Sequence, residues 1–162
     1  MNTQRGVVLI VSLVMLMLLT LLATSSMQNA TLQEKMAGSQ ALRNASFQSA
    51  ETLLRLGEAQ VFAAGFSMPT CASPLACLPP PEALTLTSVG LNETSGIQWR
   101  VGQGGFFGIQ LLGETDNPAG AKLPSEPQQL YRVTAVGIQG ASRTVLESVH
   151  TQEKRIMWRQ RR

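Results

Sequence analysis

Between Val7 and Ala23 the chain reads VVLIVSLVMLMLLTLLA, an apolar run interrupted only by Ser12 and Thr20, and no acidic residue precedes Glu34. At about 1.5 Å of rise per residue the run makes roughly 25 Å of helix. Extension through weakly polar Thr and Ser to Met27 brings it to about 31 Å, the thickness of a bilayer's hydrocarbon core. Residues 7–27 are therefore expected to form a membrane-spanning helix.

Past Met27 the apolarity fades but the helical period continues. From Met27 to Ala64 there is no proline, Gly38 and Gly57 are isolated, and Gly65 followed by Pro69 is the first convincing stop. Phe47, Ala50, Leu54, Gly57, Val61 and Ala64 recur in steps of 3, 4, 3, 4 and 3. That spacing predicts one stripe buried against a domain. Gln48, Glu51, Arg55 and Glu58 are expected largely on the other side, with Glu51 and Arg55 as an i,i+4 ion pair worth about 0.2–0.5 kcal/mol when exposed. The nearer half carries Ala30, Ala37, Gly38, Ala41 and Ala45 at helical spacing. Small side chains let backbones approach, so this half suits helix–helix packing, and it equally suits a plain Ala-rich linker helix.

After Gly65 the pattern changes to loops and then to period-two alternation. Cys71 and Cys77 bracket CASPLAC, and Pro74 and Pro79-Pro80-Pro81 rule out regular helix and central strand there. Four strands are predicted: Ile97 to Val101, Phe106 to Leu112, Leu130 to Val136 and Thr144 to Val149. Gly104-Gly105 suits one hairpin turn and Gly137 to Ser142 another, while GETDNPAGAKLPSEPQ, Gly113 to Gln128, reads as a long polar loop. An antiparallel sheet offering one face to the helical stripe gives an α+β domain. The expected organisation is residues 1–6 as a leader, 7–27 in the membrane, 28–65 continuing the helix, and 66–162 as the head.

Charge alters this picture little. Charged residues are 14 % of the chain, and the net charge of +3 is concentrated at its ends. Five of the thirteen Lys and Arg are Lys154, Arg155, Arg159, Arg161 and Arg162, and Arg5 is a sixth, which leaves seven against ten acids in the body. No nucleic-acid-binding face is expected. The tail KRIMWRQRR reads as a frayed charged terminus, with contact to an anionic surface as the other reading.

Catalytic signals are absent. With one histidine, His150, far from two cysteines, a zinc site finds no ligand set, and Cys71–Cys77 is expected as a disulfide in an oxidising compartment. Glu114, Asp116 and Asn117 mimic part of a calcium loop, but two carboxylates without the rest of the ligand spacing favour a solvated loop. No nucleophile triad or phosphate-binding loop is present. The expectation is no enzyme, no cofactor and no metal.

The N-terminus decides the functional reading. Arg5-Gly6 directly precedes the apolar run, and no clean Ala-x-Ala cleavage site follows it. A cut between Gly6 and Val7 would keep the helix on the mature protein, whereas a plain single-pass anchor would not be cut. With Arg5, the α-amine and no acid nearby, this end is expected in the cytoplasm and everything after Met27 in the periplasm or otherwise outside the cytoplasm.

A short leader ending in Gly, an apolar helix and then LQEKMAGSQALRNASFQSAETLLRLGEAQ, Leu32 to Gln60, closely resembles the PilX-type minor pilins of type IV pilus assembly. The resemblance covers roughly the first 65 residues. Its specific part is Glu34, Lys35, Met36, Ala37 and Gly38 with Phe47, Ala50 and Glu51, and the head has only a generic likeness to a pilin head. It implies cleavage after Gly6 by an inner-membrane prepilin peptidase, N-methylation of Val7, and a long helix joined to a periplasmic head. The implied partners are other minor pilins, the major pilin, the peptidase, the inner membrane and a tip adhesin. Shaft-forming pilins usually begin with Phe and carry Glu as the fifth mature residue, where this chain has Val7 and Val11. The missing carboxylate favours a place at the filament tip, in priming and capping. The competing reading is an inner-membrane protein whose periplasmic adaptor domain never enters a filament.

Overall fold

The computed structural model describes residues 4–116 and 127–161, with side chains from Val7 onward. Met1 to Thr3 of the expected leader, Asn117 of the acidic loop and Arg162 of the tail lie outside the described residues. One helix, α1, runs Gln4–Val61. It ends a turn before Ala64: Phe62 N–H still donates to the Glu58 carbonyl at 3.0 Å, after which the chain turns through Gly65 at φ 79°. The chain divides into two compact units, Met1–Ala41 and Leu42–Arg162, so the last twenty residues of α1 belong to the folded head.

The head is one antiparallel sheet in the order β1 (Gly90–Leu91), β2 (Gln98–Gly102), β3 (Gly105–Thr115), β4 (Gln128–Gln139), β5 (Ser142–His150) and β6 (Arg155–Arg161). The four expected strands are β2 to β5, and the expected hairpin at Gly104 joins β2 to β3. The expected α+β class, a long helix with an antiparallel sheet, is the observed architecture. The loop expected from Gly113 to Gln128 is shorter, because past a bulge at Leu111/Gly113 the ladder continues through Gly113↔Leu130, Glu114↔Gln129 and Thr115↔Gln128.

The C-terminal tail is not frayed. It forms β6, paired with β5 from His150↔Arg155 to Val145↔Arg161. Its charges are held by acids elsewhere in the head: Arg159 lies 2.8 Å and Arg161 3.2 Å from the carboxylate of Glu147, which is fully buried. Arg155 pairs with Glu58. Glu58 thereby departs from its expected place among the exposed polar positions; it is 6 % exposed, because Arg155 offers a partner that the helix sequence alone does not contain.

Both faces of the sheet are covered. On one, Ala50, Leu53, Leu54 and Val61 of α1 pack with Phe107, Ile109, Leu111, Tyr131, Val133, Ala135 and Leu146. The helix approaches β4 so closely that a Cβ on Gly137 would stand 2.0 Å from the Ser46 carbonyl oxygen and 2.5 Å from the Ala50 nitrogen. Ser46 fixes that approach: its buried hydroxyl meets Ser142 Oγ at 3.0 Å and Thr144 Oγ1 at 2.9 Å. On the opposite face Ile97, Trp99, Val136 and Val145 pack beneath Ala83 of a short 3₁₀ helix, Pro81–Leu84. Two covered faces explain why β5 is buried from Thr144 to His150 without alternation.

Candidate functional site

Every described side chain from Val7 to Asn44 is exposed in the single chain. Fourteen large apolar side chains between Val7 and Leu22 stand 48–69 % exposed. Burying such groups releases roughly 1.5–3 kcal/mol apiece, so the run represents on the order of 20 kcal/mol of unrealised stabilisation in water. The helix is long and apolar enough to cross a membrane. Its few hydroxyls do not break that character. Ser12 donates to the Leu9 carbonyl at 2.9 Å, Thr20 to Met17 at 2.9 Å and Thr24 to Leu21 at 3.0 Å, each satisfied within its own helix. Val7, 61 % exposed, and Val11, 52 % exposed, lie in this apolar part.

The residues of the PilX-like block divide between the two units. Glu34, Lys35, Met36, Ala37 and Gly38 are exposed, and a Cβ on Gly38 would meet nothing within 4 Å. In the head, Ala50 is fully buried, Phe47 packs on the core and meets the Trp158 ring edge-on at 6.3 Å, and Glu51 holds Arg55 at 2.5 Å. Phe47 and Glu51, with Leu54, Arg55, Arg155 and Trp158, line an open groove of about 540 Å³ between α1 and β6. Trp158 was hidden within the basic tail. The run Ile156-Met157-Trp158 is the sequence signal that identifies a strand there, and the flanking arginines masked it.

Cys71 and Cys77 are joined in a disulfide with Cα atoms 5.4 Å apart. The closed loop is docked on the second face of the sheet. Cys71 N–H donates to the Leu111 carbonyl at 3.0 Å, Gln110 Nε2 to the Ala76 carbonyl at 2.7 Å, and Arg132 to the Cys77 carbonyl at 2.7 Å. Burial lowers the Arg132 pKa and Glu147 opposes that shift. Glu114 and Asp116 are both exposed, and no group of three or more potential metal-ligating side chains occurs among the described residues.

Residues 5–55 match the family model described as PilX N-terminal. The match bears out the resemblance of the N-terminal region to PilX-type minor pilins and supports a type IV pilus-related minor pilin in general; the PilX pilin family is itself structural rather than catalytic. An apolar N-terminal helix with this family match fits membrane or pilus association. No curated protein and no solved structure matches the chain.

Proposed function

We propose that this chain, carrying the PilX N-terminal region at residues 5–55, is a minor pilin that primes a type IV pilus and caps it at or near the tip. The observation that carries the reading is the exposed apolar helix Val7–Leu22 attached to a head with its own double-sided core. Such a helix needs a lipid or protein environment, and a filament interior of neighbouring helices supplies one. In this reading Gly6–Val7 is the prepilin peptidase site, Val7 is N-methylated, and the head lies in the periplasm before assembly. Ala30, Ala37, Gly38, Ala41 and Ala45 give neighbouring helices close approach, while the groove beside Phe47 and Trp158 receives part of an adjoining subunit. The partners are other minor pilins and the major pilin, with a tip adhesin beyond them.

Intact-mass analysis of protein extracted from membranes and from sheared pili tests this. Loss of residues 1–6 with a methylated Val7 is the expected result. Retention of Met1 in pili, or a cut near Ser25, overturns the reading.

A further inference from the structure

The one histidine of the chain is fully buried where three elements of the head meet. His150 ends β5, and its ring lies 5.1 Å from Phe62, just beyond α1, and 6.4 Å from Tyr131 of β4. Nδ1 is 3.1 Å from the Thr151 carbonyl, an acceptor, so Nδ1 carries the proton of the neutral ring and Nε2 is a bare lone pair. Among the described residues Nε2 is buried with no hydrogen-bond partner, and so is Oε1 of Glu58, one helical turn before Phe62. The other Glu58 oxygen receives the Arg155 guanidinium, and Arg155 is the residue of β6 that stands opposite His150 in the ladder.

We propose that Glu58, His150 and Arg155 form an acid-sensitive latch: a proton on His150 Nε2 draws the Glu58 carboxylate away from Arg155 and releases the start of β6 from α1. Before protonation the site holds, among the described residues, two unpaired acceptors, Nε2 of His150 and Oε1 of Glu58, beside the Arg155 cation, which ties β6 to the helix through Glu58. After protonation two cations compete for one carboxylate. Arg155, with its side chain 45 % exposed, has water to turn to, whereas His150 has none, so Arg155 is the one that leaves.

The charged and titratable groups facing His150 are Glu58 from α1, Tyr131 from β4 and Arg155 from β6. Burial raises the Tyr131 phenol, which stays neutral across the range concerned. Burial is also the largest influence on His150 and lowers its pKa; the Thr151 carbonyl and Glu58 oppose it, and Arg155 reinforces it. With a folded-state pKa below the ordinary 6.5, the unfolded or released state takes up the proton first as pH falls. The latch is therefore secure above the ordinary value of 6.5, weakens by up to about tenfold per pH unit for one proton as pH falls from there toward the folded-state pKa, and levels off below it.

Hydrogen exchange of the full chain in detergent micelles tests the latch. Amides of Arg155–Arg161, corrected for intrinsic rates, are expected to lose up to about tenfold protection between pH 7.5 and 5.5, while the centre of β3 and β4 is unchanged. His150→Gln and His150→Phe, the second keeping a ring between Phe62 and Tyr131, should abolish the pH dependence. Equal β6 protection at both pH values in the wild type, or the same loss in a folded His150→Phe variant, overturns the proposal. The His150 ring resonances, free of overlap from other histidines, give an independent readout, and titration at the ordinary value would also overturn it.

Discussion

Gly137 and Glu147 place the strictest residue-level demands on the head. A methyl group at position 137 would meet backbone atoms of α1 at 2.0 and 2.5 Å, and backbone cannot rotate aside as a flexible side chain can. Gly137→Ala should therefore lower stability by about 3 kcal/mol, at the upper end of overpacking costs, as read from thermal unfolding of the solubilised protein. Glu147 poses the opposite problem, a charge with no exposure of its own whose neighbours Arg159 and Arg161 make it tolerable. Removing both guanidiniums in R159A/R161A leaves the carboxylate buried on a face where Arg132 is half-buried and already engaged with the disulfide loop. Breaking a buried pair costs about 3–5 kcal/mol; Arg159 is 44 % exposed and screened by water, so about 2 kcal/mol is expected in urea titration. Neither demand was legible in the sequence. Gly137 read as part of a turn, and an acid in an apolar strand reveals its need for a cation only when the far end of the chain is paired beside it.

At the scale of elements, legibility followed local periodicity. The Ala50, Leu54, Gly57 and Val61 stripe was readable because helical spacing is set by nearest neighbours, and β2 to β5 were readable from alternation and turn chemistry. What local pattern missed was β6, whose arginines looked like a solvated terminus. Its arginines are matched by two acids, Glu58 and Glu147, that lie 97 and 12 residues from their partners Arg155 and Arg159. The second sheet face was missed for a related reason, since the segment covering it is an irregular chain of Pro, Ser and Cys without period. That cover is held by side-chain bonds from Gln110 and Arg132 as well as by the disulfide. Cys71→Ser should accordingly cost only about 2 kcal/mol, the low end for a short loop, while the circular-dichroism signature of the sheet is retained. Loss of the sheet signal in that variant would show that the bridge, rather than the sheet-to-loop hydrogen bonds, organises this face.

For the molecule as a whole, the proposed tip position rests on Val11, where the sequence has no carboxylate. In a filament interior poor in water, a charged N-terminus needs a partner, and the shaft-forming pilins contrasted above usually supply it with a carboxylate at the fifth mature position. A subunit at the top of the stack has no amine above it to satisfy, so an apolar Val11 there leaves nothing unpaired. Repeated along a shaft, it would leave one amine per subunit without a partner. Immunogold labelling of sheared pili should therefore find this chain at filament ends and at low copy. Val11→Glu should be tolerated in the membrane, because a buried carboxylate is neutralised by protonation, and should move part of the label into the shaft. Even labelling along wild-type filaments would remove any positional role from Val11. End-labelling that persists unchanged in the Val11→Glu protein would instead assign the tip position to contacts of the head, with the groove at Phe47 and Trp158 as the first surface to alter.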